Sequence, residues 1–132
     1  MSFTPEQLKE NRAKWVKALR SGKYKQGDTV LFNRKEKSYC CLGVLCVTAG
    51  LKPVKTKIDK ETVDMFEGTW AVAPPRAMDF VGLVSAGGAF QDVSKAYGQD
   101  FTNALWQLND IAKLSFEEIA DIIEAEPKGL FK

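Results

Sequence analysis

Three cysteines, Cys40, Cys41 and Cys46, are the most chemically versatile side chains of this sequence. Cys40 and Cys41 stand just before a segment that reads as a helix. A thiol at a helix N-terminus has its pKa lowered, because the helix end stabilises the thiolate. That arrangement would suit a nucleophile. A cysteine nucleophile of the papain type also needs a histidine base, and the chain contains no histidine. The same lack leaves a three-cysteine zinc site short of a usual ligand. The remaining reading is packing, since free cysteine is among the most buried residue types. The three thiols are expected to be reduced and mostly buried. No catalytic residue, no metal site and no cofactor is assigned.

Arg12 is the next residue that needs an account. It falls within an apolar stripe of Leu8, Trp15, Val16 and Leu19. A charge there must reach the rim or meet a partner. One reading is a salt bridge to the acidic C-terminal half. The other is a guanidinium facing a pocket that accepts phosphate or carboxylate. Arg20, Tyr24, Gln26 and Tyr39 would join Arg12 and Trp15 there if a hairpin folded back over the first helix. Asn109 and Asp110 lie between the last two helical segments, where they either cap locally or present polar groups to a ligand. The candidate ligand-binding set is therefore Arg12, Trp15, Arg20, Tyr24, Gln26, Tyr39, Asn109 and Asp110.

Charge is unevenly distributed. Residues 9–37 hold ten basic and three acidic residues, a local net of +7, within a chain of net +2. Residues 90–126 hold eight acidic and two basic residues, a local net of −6. The two halves either attract each other across the fold or are solvated faces, or the basic part serves an anionic partner. There is no Walker loop, and Gly87-Gly88 alone is no nucleotide signature. The carboxylates show no glycosidase-like spacing. Basic residues interleave with Trp15, Tyr24 and Phe32 without a nucleic-acid fold signature, which disfavours nucleic acid as a partner.

The elements that must position these residues are clearest at the two ends. Thr4, Pro5 and Gln7 predict a capped first helix, with Phe3 and Leu8 in staple positions and Gly22 suited to its left-handed end. Residues 29–32 and 37–40 predict a β-hairpin about a turn at 33–36. Residues 42–48 predict a short buried helix whose shared face is Leu42, Leu45, Cys46 and Ala49. Residues 52–58 read as extended, residues 60–66 as a short helix and residues 75–81 as another. Asp100 is expected to cap a helix with Phe101, Ala104, Leu105 and Leu108 on its apolar face. Ser115 and Glu118 form a second capping box, with Leu114 and Ile119 as staple, on a helix that Pro127 stops. The last two helices predict an αα-hairpin.

The 132 residues fit one domain, residues 1–132, large enough to bury a core without disulfides or metals. The expected class is α+β, with helices packed on a small antiparallel sheet. No apolar run is long enough for a membrane span, and the opening residues lack a signal-peptide layout. An odd, clustered cysteine count agrees with a reducing compartment. A cytoplasmic location is expected.

One pattern is more specific than these. Trp15-Val16-Lys17-Ala18-Leu19-Arg20-Ser21-Gly22, with Tyr24 and Gln26 after it, precedes Tyr39-Cys40-Cys41-Leu42-Gly43-Val44-Leu45-Cys46. With Leu108-Asn109-Asp110, Ser115-Phe116 and Ile119-Ala120-Asp121, this resembles a family of small proteins from tailed bacteriophages and prophages. Residues 52–98 depart further from it. The resemblance implies a phage gene expressed in the host bacterial cytoplasm, and implies no reaction. The expectation is a viral accessory protein, non-catalytic, that binds a small anionic, nucleotide-like ligand to counter host defence signalling. The alternatives are a protein-binding inhibitor or modulator of a host enzyme, and an enzyme using cysteine or an Asp–Arg pair. The partner is then a small anionic ligand or a host protein, with no membrane, and homo-oligomerisation stays open.

Overall fold

A computed structural model describes residues 3–91 and 102–132, with Thr102 and Asn103 described by backbone alone. The fold is α+β.

Helix α1, Pro5–Arg20, starts where local chemistry dictates. The Gln7 amide donates to Thr4 Oγ1 at 3.1 Å and the Thr4 amide donates to Gln7 Oε1 at 2.9 Å, closing the capping box. Gly22 follows the helix at φ +73°, a conformation that glycine adopts without Cβ strain. Asn11, Trp15, Val16 and Leu19 form the buried face.

Helix α2, Cys41–Thr48, is buried on all sides from Cys41 to Cys46 rather than along the single expected face. A helix apolar all round belongs inside a core. Gly43 shows how tightly it is enclosed. A Cβ there would lie 1.9 Å from the Leu31 carbonyl oxygen, so only glycine lets that strand of chain cross the helix.

The strands form three small sheets among the described residues. In the first, β3 (Ser38–Tyr39) lies between β1 (Lys25–Gln26) and β2 (Phe32–Asn33), pairing parallel with β1 and antiparallel with β2. The expected hairpin is thus present but shorter. Thr29 turns away from the ladder at φ +73°, and Leu31 keeps only one cross-strand bond, its carbonyl accepting from the Cys40 amide at 3.3 Å while its own amide donates to the Trp70 carbonyl at 2.7 Å.

The second sheet corrects an expectation. Residues 60–66 are not a helix: β5, Glu61–Met65, pairs antiparallel with β4, Val54–Ile58, through five residue pairs. Thr62 and Val63 are β-branched and favour this pairing, which the neighbouring strand makes available.

Helix α3, Pro75–Val81, ends as expected at Gly82, φ +77°. Strands β6, Ala89–Gln91, and β7, Thr102–Ala104, form the third sheet. The helix expected from Asp100 begins later. Asp100 and Phe101 lie outside the described residues, and Ala104 belongs to β7. Helix α4, Leu105–Asp110, has no side-chain cap. Its first amides donate instead to the carbonyls of Gly88 (3.0 Å) and Gly87 (3.3 Å).

Helix α5, Phe116–Ala125, starts at the expected Ser115–Glu118 box, with bonds of 3.1 and 3.0 Å. Glu126 then turns left-handed at φ 48° before Pro127. Helices α4 and α5 pack together, and α1 lies against α2, α3 and α5. Among the described residues, no helix is long and apolar enough to cross a membrane.

Candidate functional site

The thiols are placed by the packing of α2. Cys40, Cys41 and Cys46 are free and buried. Burial penalises the thiolate more than the helix N-terminus favours it, so Cys40 is pushed up to about 11 and Cys41 and Cys46 are raised as well. A thiol kept protonated in a closed core is a poor nucleophile. No group of three metal-ligating side chains occurs among the described residues.

The two arginines of α1 already face protein acceptors. Arg12 Nε donates to the Val81 carbonyl at 2.7 Å, its Nη1 meets Glu126 at 2.8 Å, and its guanidinium lies 4.1 Å from the Phe131 ring centroid. Arg20 meets Asp121 at 2.5 Å and Glu124 at 3.1 Å, and those bonds raise its pKa. Both use the acidic C-terminal segment, the partner that the opposite local charges suggested. Trp15 is fully buried and donates from Nε1 to the Cys41 carbonyl at 3.1 Å.

The other candidates gather away from Arg12. Tyr24 and Tyr39 meet edge to face at 5.3 Å, and Tyr39 stacks on Phe32 at 4.7 Å. Burial raises the Tyr39 pKa. Gln26 and Asn109, distant in sequence, are bonded at 3.0 Å. Gln26 also donates to the Leu114 carbonyl and accepts from the Phe116 amide. Asn109 is 2% exposed and uses both ends of its amide. Its oxygen accepts from Gln26 and the Cys41 amide, and its nitrogen donates to the Gly27 carbonyl and to Asp110. These two amides tie β1, the start of α2 and the α4–α5 connection into one unit. Their polar atoms serve the fold.

Two clefts open beside this unit. One, of about 480 Å³, lies between the β2–β3 turn and the β4–β5 hairpin. Its walls carry Arg34, Lys35 and Lys55 around the apolar surfaces of Val30, Phe32 and Val63. Lys55 pairs with Asp64 across the two strands, so both side chains share one face of the hairpin. Asp64 is 7% exposed and fixes Arg34 through two guanidinium nitrogens, with Nη2–Oδ1 at 2.5 Å and Nε–Oδ1 at 3.0 Å. Arg34 Nη1 has no hydrogen-bond partner among the described residues, and the bonds to Asp64 raise the Arg34 pKa. Three cations against one carboxylate leave this cleft basic.

The chain belongs to the family described as a domain of unknown function, DUF8296. The family's model matches residues 7–127, a span that includes both clefts. No curated protein and no solved structure matches the chain.

The second cleft, of about 460 Å³, shares Asn33 with the first and is bordered by Gln26 and Asn109. Sequence reasoning missed Arg34, Lys35, Lys55 and Asp64. The Arg34-Lys35 pair beside a turn was a visible signal. Its partner was hidden because a helix at 60–66 would not have set Asp64 opposite Lys55.

Proposed function

We propose that this member of the DUF8296 family is a non-catalytic binding protein for a small anionic, nucleotide-like ligand, held in the basic cleft. The observation that carries this reading is the join of Arg34, Lys35 and Lys55 to an apolar wall of Val30, Phe32 and Val63. A nucleotide has the matching halves, a phosphate for the cations and a flat apolar base for the wall. Asp64 holds Arg34 in a fixed orientation, so its remaining donors meet an oxyanion with little ordering cost. Binding is favoured over turnover because the cleft's carboxylate is already engaged and the thiols lie in the core.

The resemblance to phage proteins supplies a setting for such a ligand. A phage accessory protein in the host cytoplasm would act against defence signalling by sequestering a host nucleotide signal. Isothermal titration with a panel of linear and cyclic nucleotides tests the reading. The double variant Lys35→Ala/Lys55→Ala should weaken binding by about tenfold or more while leaving the melting midpoint in place. Affinity should also fall with added salt. Failure of every nucleotide to give saturable heat would sink the proposal.

A second reading, a protein-binding modulator of a host enzyme, draws on one observation. Val54, Trp70 and Val72 are exposed by 61%, 43% and 37%. Trp70 stands with Ile58 and Val63 around one cleft at the turn end of the β4–β5 hairpin, and exposed apolar surface of that kind suits a protein partner better than water. If nucleotides fail and Trp70→Ala abolishes capture of a host enzyme, this reading replaces the first.

A further inference from the structure

Strand β4 has a free edge. The β4–β5 hairpin is a sheet of two strands, and β5 is the strand that packs against β2. The hairpin turns through Asp59 and Lys60, so its ladder closes on a hydrogen-bonded pair, Ile58 with Glu61. Bonded and non-bonded pairs alternate along an antiparallel ladder, so Thr56 and Val54 also direct their amides and carbonyls to β5. Lys55 and Lys57 direct theirs outward. Neither residue exchanges a backbone bond with another element among the described residues. An exposed row of such groups is a template for one more strand.

The side chains along β4 restrict what that strand can be. Lys55 and Lys57 share one face of the hairpin, and both are exposed. Neither forms a salt bridge among the described residues. Val54, Thr56 and Ile58 share the other face. On that face Val54 is exposed, and Ile58, Val63 and Trp70 border a cleft of about 600 Å³. Like charges directly opposite each other destabilise a strand pair. Two copies of this chain joined through β4 about Thr56 would set Lys55 against Lys57 twice, so the edge refuses itself and favours acids.

We propose that the free edge of β4 binds an extended segment of another protein in which acidic and apolar residues alternate. The segment's backbone would bond to the outward amides and carbonyls of Lys55 and Lys57. Its acids would stand beside the two lysines, and its apolar side chains would extend the surface of Val54 and Ile58 on the opposite face. In strand addition of this kind, backbone bonds give affinity and the alternate side chains choose the partner. The proposal does not rest on the nucleotide reading. Lys55 borders the basic cleft as well, so Lys57, which does not line it, carries the test.

The test is a nitrogen–proton NMR titration of the full chain with a capped peptide of alternating glutamates and valines, long enough to span β4. A lysine–valine peptide, and the same glutamates and valines arranged in two blocks, serve as controls. Saturable shifts of the Lys55 and Lys57 amides are expected, with slower exchange of both against deuterium. The Thr56 amide, already bonded to β5, should exchange slowly with or without peptide. The controls should bind about tenfold more weakly or worse. Lys57→Glu should weaken binding by about the same factor at an unchanged melting midpoint, since that side chain is exposed and unpaired among the described residues. Lys57→Pro deletes one outward amide without removing a ladder bond and should also weaken binding. Lys35→Ala, in the basic cleft, should leave the peptide's affinity in place. The absence of saturable shifts, equal binding of either control, unchanged binding in Lys57→Glu, or a loss in Lys35→Ala as large as in Lys57→Glu would overturn the proposal.

Discussion

Arg12 and Arg20 on α1 are matched by Glu126, Asp121 and Glu124, whereas Arg34 shares a single carboxylate with a surplus of lysines. The first region is built from helices that meet through the core, and its charges close the contact between the two ends of the chain. The second is built from short strands and turns, and its charges exceed what the fold uses. The difference separates two uses of the same residue type. Where the basic half meets the acidic helix α5, arginine holds the structure together. Where it meets the β4–β5 hairpin, cations are left over for something outside the chain.

The largest expected effect tests the rigidity of the helical region. Gly43→Ala places a methyl group 1.9 Å from a backbone oxygen, where no flexible side chain can give way. It should cost about 3 kcal/mol or more, and a chain that does not fold at 37 °C is a natural result. A melting midpoint within a degree or two of the parent would show that Leu31 and α2 are not in contact as described.

Arg12→Ala comes next. It removes a bond to the Val81 carbonyl and a pair with Glu126, from a side chain only 16% exposed. Loss of about 2 kcal/mol in denaturant unfolding is expected, and nucleotide binding to the folded variant should not change. Selective loss of ligand at unchanged stability would reverse the comparison and return the anion site to α1. Arg20→Ala should be milder, because both of its carboxylate partners are well exposed.

How far these regions could be read in advance follows from how local their causes are. Both capping boxes, at Thr4–Gln7 and Ser115–Glu118, lie within four residues and were legible as sequence. So was α3, because Pro75 starts it and Gly82 ends it. The identity of residues 61–65 was not, since a strand of that length is set by its partner, Val54–Ile58. Helix α2 was found, but its burial on every side depends on Leu31 and α1, which its own sequence does not mention. Gln26 and Asn109 do meet, as structural amides bound to each other. The basic cleft was the least legible part, because it exists only where the turn at Arg34 meets Asp64.

The smallest effect belongs to Thr29, which sits between the two clefts. Its neighbours line them, Asp28 the cleft bordered by Gln26 and Asn109 and Val30 the basic one. Thr29 has φ +73°, and the Val30 amide donates to the Asp28 carbonyl at 2.8 Å. That is a γ-turn with its central residue in the left-handed region, a rare and strained form, and a β-branched residue tolerates it poorly. Glycine would relieve strain of about 1–3 kcal/mol at a cost of roughly 0.5–1 kcal/mol in chain entropy. Thr29→Gly should therefore raise stability by about 1 kcal/mol, visible as a higher melting midpoint. The same change frees Val30 from its fixed direction, so nucleotide binding in the basic cleft should weaken as stability rises. A lower midpoint would mean that the turn is unstrained. A higher midpoint with unchanged nucleotide binding would mean that the turn does not aim Val30 into the basic cleft.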